Sequence, residues 1–161
     1  MSGQALNFER RGAVAIVAID DAPINRMSLA FMDALDERVA ELAADDGVRA
    51  VVLTAAGEQN FSVGMNLKEL PTAIRERGGA DAVFDQRLRV LSAIENMGKP
   101  WIATLFGYCL GGGLELPLAC HFRLAAAEGA QIGLPEMHLG SVPAAILTLW
   151  VLHHLGGAAA D

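Results

Sequence analysis

The stretch GYCLGGGLELPLACHF, residues 107 to 122, sets three consecutive glycines and one glutamate inside an otherwise apolar run. A buried, unpaired charge costs several kcal/mol, so a chain that keeps Glu115 here needs a fold that gives the carboxylate a reason to be there. The run is fed by KPWIATLFG (99 to 107), strand-like and entered through a lysine-proline step. Glycine after a strand permits a tight turn and close approach of a ligand to main-chain N–H groups. Those groups are orphan donors if a helix begins at the glycines. One of them can stabilise a carbonyl oxygen that gains negative charge, and loss of such a donor costs about 3 kcal/mol, roughly a hundredfold in rate. Glu115 then falls in the first helical turn, where the dipole favours an anion; a plain capping carboxylate is the competing reading. Pro117 requires that the helix start near residue 113, because proline cannot donate the i to i−4 bond.

The rest of the chain reads as one α/β domain over residues 1–161. ALNFERRG and AVAIVAIDDAP form two β segments joined at Gly12, a hairpin closed by a turn at Asp21-Ala22-Pro23. SLAFMDALDERVAELAADD carries Leu29, Met32, Leu35, Val39 and Leu42 at spacings of three and four, with Ser28 as N-cap, and predicts an amphipathic helix. RAVVLTAAG (49 to 57) predicts a strand, and 81 to 96 a helix with Val83, Leu88, Leu91 and Ile94 inward. LACHFRLAAA contains a further strand, QIGLPEMHLG a short strand and turn, and 143 to 155 a helix. Strand, helix, strand, helix, strand is a βαβ succession, a sheet with covering helices.

Two further segments carry candidate chemistry. In FSVGMNLKEL (61 to 70), Gly64 permits a sharp turn, and Asn66 with Glu69 has capping-box spacing, so N–H groups converge ahead of a helix start. An ordinary loop-to-helix transition is the equal alternative. In IGLPEMHLG, Glu136 is a second carboxylate flanked by Pro135 and apolar residues. The sequence separation of 21 puts Glu115 and Glu136 beyond helical periodicity, so only the fold can bring them together. If it does, like charges raise the pKa of one and make a coupled acid and base. His121 and His138 are rival acid-base candidates without metal-ligand spacing; both read first as structural, and His153-His154 lies in an apolar tail.

Several classes drop out. The first β run is followed by DDAP, where a dinucleotide fold needs its glycine-rich turn, and GYCLGGG does not continue into GK[ST]. A net charge of −7, with basic residues scattered, argues against a nucleic-acid partner. Cys109 and Cys120 form neither a CxxC pair nor a disulfide framework and read as small buried hydrophobes. AVAIVAI is too short for a signal-peptide core, and VPAAILTLWVL is about half of the roughly 20 residues that span a bilayer. The expectation is a soluble, cytoplasmic protein without membrane or metal partners.

NRMS (25 to 28), FSVGMNLKEL, KPWIATLFGYCLGGGLELPLACHFRLAA and IGLPEMHLGSVP, in this order, resemble the crotonase superfamily, the enoyl-CoA hydratase/isomerase family, from about residue 8 to about residue 143. The resemblance implies a spiral of repeated ββα units that binds an acyl-CoA thioester, the coenzyme A being part of the substrate and no separate cofactor being needed. It places oxyanion-hole donors at the Met65 and Gly112 N–H groups and catalytic glutamates at Glu115 and Glu136. Substrate and coenzyme contacts fall on Asn25, Arg26, Met27, Gly64, Met65, Asn66, Lys68, Gly111 and Gly112. The implied activity is addition of water to a 2-enoyl-CoA. The alternatives are double-bond isomerisation, another acyl-CoA reaction such as hydrolysis or aromatic acyl-CoA cleavage, or a catalytically silent domain. Glu115 is then tolerated because it meets main-chain donors, water and substrate.

Three departures from the pattern stand out. Asn66 stands where many members carry aspartate, and Arg26 where a small residue usually lies beside the coenzyme. After GSVP the family continues through a glycine-rich turn and amphipathic helices, whereas this chain ends in AAILTLWVLHHLGGAAAD, an atypical tail at 144–161. The expectation is a C-terminally truncated member. The absent part would cover the acyl pocket, add coenzyme contacts and support a homo-oligomer, a trimer or hexamer in the family.

Overall fold

A computed structural model of the chain describes residues 5–136; the helix expected at 143 to 155, His138 and His153-His154 lie outside them. Strands β1 (Leu6–Arg11) and β2 (Val14–Ile19) form the expected antiparallel hairpin, with Gly12 at φ 61° in its turn. From β2 onward a long strand is followed by a short one. β2 leads to β3 (Arg26–Met27), β4 (Ala50–Ala55) to β5 (Gly64–Met65), β6 (Trp101–Leu105) to β7 (Tyr108–Leu110), and β8 (Phe122–Ala125) to β9 (Gln131–Gly133). Helix α1 (Leu29–Ala44) follows the first pair, α2 (Leu70–Glu76) and α3 (Ala80–Glu95) the second, and α4 (Gly112–Leu118) the third.

The long strands make one sheet in the order β1-β2-β4-β6-β8, parallel from β2 on. The short strands stack separately: β3 on β5 and β7 on β9, both parallel, with a bridge between Ser62 and Cys109. This is the ββα spiral that the resemblance implies. Alternation in the long strands explains the layers, since Val17, Leu53 and Ala103 align across the sheet and are 0% exposed, while Thr54 and Thr104 on the other face share a 2.8 Å hydrogen bond.

Helix α1 starts where expected, with Ser28 Oγ accepting from the Phe31 N–H at 3.1 Å. At its C-terminus Lys99 Nζ donates to the carbonyls of Leu42, Ala43 and Asp45, a cation where the helix dipole is negative. Helix α3 is rotated relative to the expected face. Arg87 and Val90 are buried beside Val83, Leu91 and Ile94, and Leu88 is only half-buried. Asn66 and Glu69 do not form a capping box. Their side chains bond each other at 2.7 Å, the Glu69 and Leu70 N–H groups both donate to the Asn66 carbonyl, and α2 begins only at Leu70. Both cysteines are buried and free, and burial pushes each thiol up to about 12.

Candidate active site

The site lies where the glycine trio meets the short strands. Gly111 has φ 54° and ψ −126°, which a side chain does not tolerate, and turns the chain from β7 into α4. The first helical bonds are donated by the Leu114 and Glu115 N–H groups to the Gly111 carbonyl, so the Gly112 N–H precedes the intrahelical ladder. Pro117 sits inside α4 and denies the Gly113 carbonyl its helical donor; the Cys109 thiol approaches that oxygen at 3.4 Å instead.

The second donor loop packs directly against this turn. A Cβ on Gly64, which has φ 95°, would lie 3.2 Å from Gly112 N and 2.9 Å from the Leu110 carbonyl oxygen. The Asn66 N–H donates to the Met27 carbonyl across the β3–β5 pair. Strand alternation therefore faces the Met65 N–H away from β3. A Cβ on Gly113 would meet the Ser62 carbonyl oxygen at 2.6 Å, so the trio and the 61–65 loop approach as closely as backbones allow.

Both glutamates border this turn. Glu115 is 0% exposed. Glu136, half-buried beyond β9, lies against Gly111, where an added Cβ would fall 2.8 Å from its Oε1. Its Oε2 is buried without a hydrogen-bond partner among the described residues.

The residue that sequence reasoning missed is Arg87. From α3 its Nη2 pairs with Glu115 Oε2 and donates to the Gly112 carbonyl at 3.2 Å. Burial pulls the guanidinium's pKa below the usual arginine value, and the charges of Glu115 and then Glu136 pull it back. The signal was present: Arg87 is an arginine on the inward stripe Val83, Val90, Leu91, Ile94.

The remaining expected contacts divide. Met27 is buried, its Cε beside Gly112. Lys68 is exposed and Asn66 half-buried on the rim. Arg26 makes a two-pronged pair with Asp21 at 2.6 and 3.1 Å. Asn25 is 0% exposed, its carboxamide donating to the Ala56 and Asn60 carbonyls and accepting from the Asp21 N–H, so its side chain braces loops. His121 Nδ1 accepts from the Trp101 N–H, a structural bond. Among the described residues no group of three or more His, Cys, Asp or Glu could hold a metal ion, and no helix is long and apolar enough to cross a membrane.

Comparison with known proteins shows what the chain is similar to. The enoyl-CoA hydratase/isomerase family matches residues 9–161. A probable enoyl-CoA hydratase of Bacillus subtilis is 35% identical over 147 residues, covering 91% of this chain and 56% of that protein. The structure of an enoyl-CoA hydratase/carnithine racemase from Magnetospirillum magneticum matches with a TM-score of 0.81 at 28% identity, over 98% of this chain and 59% of that one. An enoyl-CoA hydratase from Bacillus anthracis matches with a TM-score of 0.76 at 32% identity, over 88% of this chain and 55% of that one. The chain spans little more than half the length of these relatives.

Proposed function

The chain belongs to the enoyl-CoA hydratase/isomerase family, and from that premise we propose that it adds water to the double bond of a 2-enoyl-CoA thioester. The observation that carries this reading is that Glu115, in the first turn of α4, and Glu136, against Gly111, both border one glycine turn that also packs against the Gly64–Met65 loop. The Met65 and Gly112 N–H groups both donate to the thioester carbonyl oxygen and stabilise the enolate charge. Glu115 accepts a hydrogen bond from the attacking water and orients it. The water oxygen bonds to C3, the C2–C3 π pair moves toward the carbonyl, and Glu136 delivers a proton to C2. The proton lost by water returns to the carboxylate pair, which ends the cycle as it began. Met27, Asn66, Lys68 and Arg26 border the path that the thioester and its coenzyme would follow.

A second reading, migration of the double bond by Glu136 alone, is favoured by the complete burial of Glu115. Incubation of a short 2-enoyl-CoA in oxygen-18 water separates the two. Label at the C3 hydroxyl supports hydration; double-bond migration without label replaces it with isomerisation. Cytoplasmic location and a homo-oligomeric state complete the proposal.

A further inference from the structure

We propose that Ser62 is a positioning residue that sets the gap between the two main-chain donors of the site, the Met65 and Gly112 N–H groups, by tying together the two backbones that carry them. The inference rests on the thioester site proposed above and adds to it the residue that holds its donors in register.

The two donors belong to different pairs of short strands. Met65 lies in β5, which pairs with β3, and Gly112 follows β7, which pairs with β9. Ser62 joins the pairs. Its main chain bonds β7, the Ser62 N–H donating to the Tyr108 carbonyl at 2.9 Å and the Leu110 N–H donating to the Ser62 carbonyl at 3.0 Å. Its hydroxyl bonds the other pair. Oγ donates to the Asn25 carbonyl at 2.6 Å, just ahead of β3, and accepts from the N–H of Gly64, the first residue of β5, at 3.1 Å. The bond from Gly64 holds the residue whose peptide carries the Met65 N–H, and the bond from Leu110 holds the chain just before the glycine trio. Both donors are therefore within a residue or two of a bond to Ser62.

Burial and proton count define what Ser62 does. It is 0% exposed, and the one proton of its hydroxyl goes to the Asn25 carbonyl, so none is left for a substrate. Its action runs through the backbone. Packing makes the join stiff: a methyl group on Gly113 would meet the Ser62 carbonyl oxygen at 2.6 Å, its Cβ at 2.8 Å and its Oγ at 2.9 Å, and one on Gly64 would lie 2.9 Å from the Leu110 carbonyl oxygen. With backbone on both sides, a change in the bonding of the hydroxyl moves the Gly64–Met65 peptide relative to the trio. Donors stabilise an oxyanion only when they lie about 2.7 to 3.1 Å from the place where its charge develops, so a small displacement reads out in rate.

The test reads the donors at a bound carbonyl, by isotope-edited infrared spectroscopy of butanoyl-CoA labelled with carbon-13 at its thioester carbonyl, a probe with no double bond to hydrate. On wild type the carbonyl band lies below its frequency in water, because two N–H groups polarise it. In S62A that downshift shrinks, and kcat for a short 2-enoyl-CoA falls about ten- to a hundredfold with KM nearly unchanged. S62T restores the hydroxyl and returns both readouts toward wild type. S62C keeps the shape but donates and accepts weakly, so it falls between, and it carries the test if S62A does not fold. S28A is the stability control: it removes a serine hydroxyl that accepts from the Phe31 N–H at 3.1 Å, lowers the unfolding midpoint, and leaves the band and kcat unchanged. A full downshift in S62A, or in S62C where S62A does not fold, overturns the inference, and so does an S28A that weakens the band as S62A does. A wild type that polarises butanoyl-CoA and loses this in S62A, but incorporates no labelled oxygen, removes the hydration reading and leaves the role of Ser62 standing. Hydration with an S62A band equal to wild type does the reverse. A wild type that leaves the band where water does removes the donor pair and the role of Ser62 with it.

Discussion

Arg87 and Glu115 form an ion pair whose side chains are 7% and 0% exposed, linking the middle of α3 to the first turn of α4. Such a pair is asymmetric in energy: removing one partner strands a buried charge, whereas removing both exchanges the pair for packing. R87M alone should lower stability in urea denaturation by about 3 to 5 kcal/mol. R87M/E115L should recover most of that loss while eliminating turnover. A single substitution costing less than about 1 kcal/mol would show that water reaches the pair.

Glu136 should matter to turnover more than to binding. In E136Q the amide keeps the shape beside Gly111 but has no proton to deliver, so kcat should fall about 10²- to 10⁴-fold with KM for a 2-enoyl-CoA nearly unchanged. E115Q should also be severe. The two losses should fall short of additive because both carboxylates share the field of Arg87. Steady-state kinetics of E136Q, E115Q and the double variant E115Q/E136Q decides it, and residual activity equal to wild type in E136Q removes Glu136 as the acid.

How much of this was legible in the sequence follows from the range of the interactions. Helix α1 was readable because Ser28 and the stripe Met32, Leu35, Val39, Leu42 are local signals. The glycine trio was readable because a strand, a turn and a helix start lie within one short run. The α3 face was displaced because Leu88 looks like core and Arg87 does not, whereas Glu115, supplied by a distant element, makes Arg87 the better buried residue. The approach of Glu136 to the glycine turn depends on the pairing of β7 with β9, tied by the Gly111 N–H to the Gly133 carbonyl at 3.0 Å, which no local period encodes. The bracing role of the Asn25 side chain was not legible, because its partners, the Ala56 and Asn60 carbonyls, lie about thirty residues away.

The close approach of the trio to the 61–65 loop should be steeply position-dependent. A methyl group at Gly113 meets the Ser62 backbone oxygen at 2.6 Å, which can yield only by moving the donor loop. At Gly98 nothing lies within 4 Å. G113A should therefore destabilise by about 1 to 3 kcal/mol and depress kcat, while G98A stays within about 0.5 kcal/mol of wild type. Thermal and urea unfolding of both variants, with activity, checks the pair.

Acid sensitivity has a surface component at the loop that Asn25 braces. Arg26 hydrogen bonds hold the Asp21 carboxyl below its usual range. A depressed folded pKa contributes stability that is complete above the unfolded value, about 3.9, and is lost as pH falls through the folded one. The side chains are 40% and 39% exposed, so solvent screens the pair. D21N should cost no more than about 1 kcal/mol near neutral pH, and its unfolding curve should converge on wild type at the acid end. A difference that persists there would assign the effect to the Asp21 backbone contacts instead.

The far edge of the main sheet predicts association. Among the described residues β8 is its last strand, and all four residues of β8 are exposed, with Phe122 at 59% and Leu124 at 62%. These two are i and i+2 on a strand, so they share one face. Covering each would stabilise the covered state by about 1.5 to 3 kcal/mol, which makes two such side chains enough to bias an equilibrium between separate and associated chains. Light scattering after size exclusion should show apparent mass rising with concentration, and F122K/L124K should shift that rise to higher concentration while leaving the unfolding midpoint of the dilute protein nearly unchanged. A concentration-independent mass in both proteins, together with a lower unfolding midpoint in the double variant, would mean that the strand is covered by its own chain.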